Sequence, residues 1–279
     1  LRDQQRKMIQ EEFADLEDPV LTARVIRFER QSVIMGVSSG IGRPEVEAEL
    51  PKRDQLPNDN YRANNFRKVF YELYPGNWSL KIADLGDLPN GANVNDTYYA
   101  IKEIGYYLKQ MNIIPIFIGG SHDLIFPLYQ VYQDFKQLVN MVSVDRSFDF
   151  SQEDELISGR SYMSKIIMEK PNVLNNYTNL GYQSYYCAIE EKDLMDKLYF
   201  DGIRLGQLLD NIKISEPVFR DADIVGFDMK CLSWNALADP LKGQPNGIDS
   251  RSICALSRYA GISDLSLIHI SEPTRPLYI

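Results

Sequence analysis

Residues 113–126 read IIPIFIGGSHDLIF, a run of branched apolar residues that stops at Gly119-Gly120 and continues at once with Ser121-His122-Asp123. A short apolar run that ends in glycines predicts a buried strand entering a loop. The chain has two histidines, His122 and His269. His122 stands just beyond the end of the predicted strand. Ligands of open parallel sheets bind at this place, outside the carboxyl ends of the strands.

Strands and helices alternate outward from this stretch. The helix-like segment DLIFPLYQVYQDFKQL follows it, and the apolar run NMVSVD comes next. Further segments continue the alternation: SYMSKIIMEK (helix), YQSYYCAI (strand), GIRLGQLLDNI (helix), DIVGFDM (strand) and SRSICALSRYA (helix). Such alternation predicts parallel βαβ units with helices on both faces of the sheet. Without an internal repeat or linker, we expect one three-layer α/β/α domain with a mostly parallel central sheet, over residues 1–265.

The last 14 residues, SLIHISEPTRPLYI at 266–279, differ abruptly from the text before them. The string resembles translated sequencing-adaptor read-through. We therefore predict that 266–279 is a non-native tail, leave it out of the fold, and expect the native C-terminus to be missing. The chain begins with Leu1, so a lost targeting segment stays open.

Composition limits the partners. An apolar fraction of 44% and a charged fraction of 25% are typical of a soluble globular protein. The net charge of −9 disfavours nucleic acid, which needs a basic face. No apolar run reaches the roughly 18 residues of a membrane span. Three cysteines without a CxxC pair favour reduced thiols and a cytoplasmic location.

Polar residues follow three of the predicted strands: His122 and Asp123, Asp145 and Asp149, and Asp228 and Lys230. Carboxylates gathered in one cleft repel one another unless a cation lies between them. Oxygen ligands with one imidazole suit Mn²⁺ better than Zn²⁺. Taken alone, an acid at a strand end also fits a helix cap, and His122 also fits a structural histidine.

The same three places resemble the motifs of the ureohydrolases, the arginase, agmatinase and formimidoylglutamase group. GGSHD resembles their Gly-Gly-Asp-His-Ser motif, DRSFD is similar to Asp-Ala-His-x-Asp, and FDMK resembles the start of Ser-x-Asp-x-Asp. The motifs occur in the family's order, the similarity spans about residues 31–265, and PNGIDSRSICALSRYAGISD looks like a divergent formimidoylglutamase-like branch. The resemblance implies an arginase-like fold, a homo-oligomer, and hydrolysis of a C–N bond in a small guanidino or formimino substrate.

The resemblance also implies a ligand set, because the family binds two manganese ions with two histidines and four aspartates. One ion's ligands are retained as His122, Asp145, Asp149 and Asp228. The other ion loses both of its private ligands, whose positions hold Ser147 and Lys230. We therefore expect one Mn²⁺. Our hypothesis is that the Lys230 ammonium takes the place of the second ion; the alternative is that Lys230 points to solvent.

Two further residues receive roles in this comparison. Asp123 is assigned as a catalytic proton acceptor, with a helix N-cap as the alternative. Arg160 is assigned to bind a substrate carboxylate, with a surface arginine as the alternative. Two functions remain open: a hydrolase of linear amidines, to which Lys230 contributes catalytically, and a catalytically impaired pseudoenzyme with a binding or regulatory role.

Overall fold

The computed structural model describes residues 31–37, 66–67, 69–74, 81–88, 93–151, 157–237, 244–262 and 267–271. These residues build one eight-stranded sheet with the order β2-β1-β3-β8-β7-β4-β5-β6, and every pairing between them is parallel. The strands are β1 (Gln31–Val37), β2 (Lys81–Leu88), β3 (Ile113–Gly119), β4 (Val139–Val144), β5 (Leu174–Tyr182), β6 (Asp201–Arg204), β7 (Ile224–Asp228) and β8 (Leu267–Ser271).

Seven α-helices have complete bounds within the described residues. They are α1 (Val94–Gln110), α2 (Ile125–Phe135), α3 (Tyr162–Met168), α4 (Ile189–Lys197), α5 (Leu205–Asp210), α6 (Ser215–Arg220) and α7 (Ser250–Ile262). Helix α1 begins at a reciprocal capping box: the Asn93 side chain accepts from the Asp96 backbone N–H at 3.0 Å, and the Asp96 carboxylate accepts from the Asn93 N–H at 3.1 Å. No helix of the described residues has the length and apolar character that crossing a membrane requires.

The core has two parts, one on each face of the sheet. Alternate residues of a strand point to opposite faces, and the strands obey this rule: in β7, Ile224 packs with one part, and Val225 and Phe227 pack with the other. The first part contains residues of α1 to α4, and the second contains residues of α5 to α7. Helices therefore cover both faces, which confirms the predicted three-layer α/β/α class.

Strand β8 comes from the segment that the sequence analysis left out of the fold. It pairs with β3 through Ile116↔Ile268 and with β7 through Val225↔Ile268, so it lies in the middle of the sheet. Residues 267–271 therefore belong to the sheet, which corrects the prediction that left them out of the fold. The alternating LIHIS segment forms a strand that pairs with a neighbouring strand on each side. The foreign origin of the tail and the domain boundary at residue 265 stay predictions. Residues 1–30 and 38–65 of that domain lie outside the described part.

Candidate metal centre

The turn after β3 delivers His122. Gly119 and Gly120 have φ angles of 104° and 69°, which side chains other than glycine rarely adopt, and a 3₁₀ turn of His122–Leu124 follows. The His122 ring is completely buried. Its Nε2 lies 3.4 Å from the Ser143 hydroxyl, and its ring meets the Tyr162 ring edge-on with centroids 5.2 Å apart. The His122 ring is therefore held on several sides, and its role as a metal ligand stays a prediction.

A glycine in β7 makes room for that ring. A Cβ atom on Gly226 would lie 2.2 Å from Ile125 Cδ1 and 2.8 Å from His122 Cε1. Both distances are shorter than any relaxed carbon contact, which lies near 3.5–4.0 Å. Gly226 therefore permits the position of His122. A glycine inside a strand often marks such a close approach, and this signal in the sequence was missed.

Strand β4 delivers the two acids of the second motif. The Asp145 carboxylate accepts from the backbone N–H groups of Arg146 at 2.5 Å and Ser147 at 3.3 Å. Asp149 has a left-handed backbone with φ 59°, a conformation that Asp tolerates. Its Oδ1 accepts from the Ser147 hydroxyl at 2.8 Å. Ser147 therefore orients the Asp149 carboxylate.

His122, Asp145 and Asp149 form a group that can hold a metal ion. One ligand atom of each lies within 4.8 Å of the others, and all three residues are buried. His122 Nδ1, Asp145 Oδ2 and Asp149 Oδ2 are buried without a hydrogen-bond partner. Unpaired buried polar atoms are costly. A cation between the two acids would accept lone pairs of both carboxylate oxygens, and His122 Nε2, 3.9 Å from Asp145 Oδ2, is the imidazole nitrogen close to them, so these residues fit a metal ion.

Burial is the largest influence on the pKa values of all three residues of the ligand group. Burial, Asp149 and Asp228 raise the pKa of Asp145 well above its ordinary value. Burial also raises the pKa of Asp149 to about 6, although the Lys230 ammonium opposes it. Burial lowers the pKa of His122 to about 3. His122 is therefore neutral at pH 7, the form in which imidazole binds metals.

Asp228 and Lys230 form a pair beside this group. Lys230 Nζ lies 3.1 Å from Asp228 Oδ2, and the Lys230 backbone N–H donates to Asp228 Oδ1 at 2.8 Å. The Lys230 side chain is 28% exposed and Asp228 only 2%. Burial raises the pKa of Asp228, but the Lys230 ammonium, His122 and the Lys230 backbone N–H together outweigh burial and hold the pKa at about 2. The alternative in which Lys230 points away to solvent is therefore wrong.

The structure thus brings together three of the four predicted ligands. Asp228 does not share the 4.8 Å ligand group among the described residues, although its charge affects the pKa values of His122 and Asp145. The carboxylate of Asp228 faces Lys230, so Asp228 enters the crevice as the acidic partner of an ion pair. Its role as a metal ligand stays a prediction.

Asp123 is not part of the ligand group among the described residues. Its carboxylate accepts from the Tyr98 phenol of α1 and from the Ser121 hydroxyl. Burial raises its pKa to about 6. The residues at the N-caps of the adjacent helices are Ser121 and Leu124, so the N-cap alternative is wrong. The contacts tie the His122 turn to α1, and the catalytic role of Asp123 stays a prediction.

A cavity of about 950 Å³ opens beside Asp149. The exposed Arg160 lies on the wall of this cavity. The backbone carbonyl of Arg160 accepts from the Ser151 N–H at 2.9 Å. Arg146 lies on the same wall and was missed from the sequence, because nothing in its local pattern separates it from a surface arginine. The cavity adjoins the ligand group, so a molecule bound there would reach Asp149.

The comparisons with known proteins agree with this geometry. The model of the arginase family matches residues 59–230, whereas no curated protein matches the chain in sequence. A Trypanosoma cruzi formiminoglutamase variant crystallised with Mn²⁺ superposes with a TM-score of 0.73 at 16% identity, over 91% of this chain and 88% of that one.

Two other solved structures share the fold. Formimidoylglutamase from Bacillus subtilis has a TM-score of 0.67 at 13% identity, covering 87% of this chain and 79% of its own. Agmatine ureohydrolase from Thermoplasma volcanium has a TM-score of 0.66 at 18% identity, covering 94% and 88%. With the family model matching more than half of its length, as the three motifs predicted, the chain belongs to the arginase family of hydrolases.

Proposed function

We propose that the chain is a manganese-dependent hydrolase of C–N bonds in linear amidines that works with one metal ion and a lysine. His122, Asp145 and Asp149 would hold the ion, with Asp228 as a fourth ligand or as the partner of Lys230. The substrate is a small guanidino or formimino compound, and the products include urea or formamide. Homo-oligomerisation and the cytoplasmic location stay predictions.

The observation that carries this proposal is the position of the Lys230 ammonium, 3.1 Å from Asp228 Oδ2. The negative charges of Asp228, Asp145 and Asp149 raise the pKa of Lys230, although burial opposes them. An ammonium is a compact point charge with three donors. Lys230 therefore neutralises carboxylates that a second divalent ion would otherwise have to balance.

The chemistry requires water to add to the amidine carbon and the C–N bond to break, with a proton passing to the departing nitrogen. A bound Mn²⁺ supplies Lewis acidity that lowers the pKa of water. The Lys230 N–H groups can donate to the charge that develops on the substrate, and donors placed in advance stabilise such charge strongly. Ser147 fixes the Asp149 carboxylate through its 2.8 Å hydrogen bond, as supporting residues do around metal ligands.

Metal content tests the site first. After manganese loading and desalting, we expect about one ion per chain by elemental mass spectrometry, and a loss of at least about tenfold in affinity for Asp149→Asn. Asparagine tolerates the left-handed backbone at this position, so a loss would not come from strain. The exposed Asp201→Asn serves as the control. No retained ion in the unmodified chain would refute the metal centre.

Turnover is the second test. Release of urea, ammonia or formamide from arginine, agmatine and formiminoglutamate should be measured with the manganese-loaded chain. Product release that Asp149→Asn abolishes would support the hydrolase. One retained ion without any product would favour the pseudoenzyme. The observation that favours this second function is the ion pair of Lys230 with Asp228, which leaves a ligand group of three residues.

A gain-of-site variant tests the role of Lys230 directly. Lys230→Asp combined with Ser147→His restores, by the resemblance, both private ligands of the second ion. We expect manganese content to rise from about one to about two ions per chain. Each single variant is the matched control and should bind no second ion tightly. A double variant that still holds one ion would show that Lys230 does not stand in for a cation.

A further inference from the structure

The cavity beside Asp149 lies between the loops after β4 and β5 and the first turn of α4. Its wall includes Ser147, Asp149, Arg146, Arg160 and Tyr186. Asp149 of the ligand group thus lies on the cavity wall, and two arginine residues lie on it as well. A substrate whose amidine carbon reaches the ligand group would extend its remaining atoms into this space.

Arg146 is held in place at this wall. Its guanidinium carbon lies 4.3 Å from the centroid of the Tyr186 ring, within cation–π distance. Its backbone carbonyl accepts from the Gln183 N–H at 2.9 Å and from the Cys187 thiol at 3.6 Å. A guanidinium packed on an aromatic ring keeps its N–H donors for a ligand and loses little freedom when it binds.

The charges at the cavity differ from those of the whole chain, whose net charge is −9. Asp149 belongs to the ligand group. Both carboxylate oxygens of Glu191 are used by backbone N–H groups, of Phe150 at 3.1 Å and of Ala188 at 2.9 Å. Among the described residues that line the cavity, the remaining acid is Glu190, which is exposed at the rim. Within the described residues neither Arg146 nor Arg160 has an acidic group within 4.0 Å, so both can take an anion.

We propose that Arg146, with Arg160, binds the anionic end of the substrate, so that the amidine this chain takes carries a carboxylate. This inference rests on the proposed function and names its specificity-determining residue. Arg146 directly follows the ligand Asp145, where the resembled Asp-Ala-His-x-Asp motif has alanine. A bidentate guanidinium–carboxylate pair at this point would fix the distance between the carboxylate and the amidine carbon.

Calorimetric titration of the manganese-loaded full chain tests the proposal without requiring turnover. The probes are γ-guanidinobutyrate and its neutral isostere γ-guanidinobutyramide, which differ only in the charged group. We expect the carboxylate to bind about 10- to 100-fold more tightly, the range of a charged hydrogen-bonded pair. Arg146→Ala should remove this preference, Arg146→Lys should keep part of it, and Arg160→Ala should reduce it.

The control is Arg258→Ala, because Arg258 is exposed on α7 and does not line the cavity. Manganese content of each variant separates a lost subsite from a lost metal centre. Equal affinity for the two probes, binding of neither, or a preference that survives Arg146→Ala would overturn the proposal. A carboxylate preference without any product release would instead count against the hydrolase function and leave the subsite intact.

Discussion

Replacing Lys230 with methionine should lower the free energy of unfolding of the metal-free protein by about 3 kcal/mol. Methionine has a similar length and no charge, so the change leaves Asp228 buried at 2% exposure without its 3.1 Å partner. Breaking a buried ion pair by removing one partner typically costs about 3–5 kcal/mol, and the 28% exposure of Lys230 places the effect at the lower end. Urea unfolding measures the change, provided that the slope of the unfolding free energy against urea concentration is the same in both proteins.

The same variant should lower kcat by about 10²- to 10³-fold, the loss typical of removing one donor to a developing charge. The expected effect on binding is smaller, because the ammonium acts on charge that appears during the reaction. Steady-state kinetics of product release at saturating manganese would separate kcat from KM. An unchanged kcat would exclude Lys230 from the reaction.

Two matched variants control this experiment. Lys213→Met removes an exposed lysine and should change stability by at most about 0.5 kcal/mol. Adding Asp228→Asn to Lys230→Met removes the stranded charge and should recover much of the lost stability. A loss below about 1 kcal/mol in the single variant would mean that the carboxylate of Asp228 finds another partner.

Gly226→Ala should displace the His122 ring and weaken manganese binding by about tenfold or more. The added methyl group would lie 2.8 Å from His122 Cε1 and 3.2 Å from Nε2, in a region that is completely buried. Forcing an extra carbon into such a core also costs about 1–3 kcal/mol of stability. Manganese content after desalting and urea unfolding measure the two effects.

The two clashes of that methyl group can be separated. Ile125→Val in the Gly226→Ala background removes Cδ1, the atom that would lie 2.2 Å away. It should recover stability but not manganese, because the contact with the His122 ring remains. Gly206→Ala is the control, since Gly206 is exposed on helix α5 and a Cβ there meets nothing within 4 Å. Full manganese retention in Gly226→Ala would show that the ring position is not decisive.

The sequence by itself determined the fold class and the edge of the sheet at which three of the predicted ligands meet. Apolar runs alternating with helical segments require a parallel sheet covered on both faces, and the two core clusters confirm it. Side chains just beyond β3 and β4 must lie at the same edge of such a sheet. His122, Asp145 and Asp149 therefore meet, as their positions in the chain predicted.

The sequence misplaced one strand for a physical reason. The segment YQSYYCAI was predicted as a strand, but the strand is Leu174–Tyr182, and Tyr186 closes a turn onto the Gln183 carbonyl at 2.8 Å. The true strand looks polar, yet Asn179 is buried because its side-chain amide donates to the Ser147 carbonyl at 2.8 Å. A local hydropathy pattern contains no information about a hydrogen-bond partner that lies 32 residues away in the chain.

Only the tertiary structure decided the remaining features of the site. Whether Lys230 faces solvent or Asp228, whether Gly226 leaves room for His122, and whether Arg146 packs on Tyr186 all depend on side-chain directions. Local sequence encodes periodicity and turn preference, but these directions are set by contacts between segments far apart in the chain. The chain positions of the ligands follow from sequence alone, whereas the charge and shape of the space around them follow from packing.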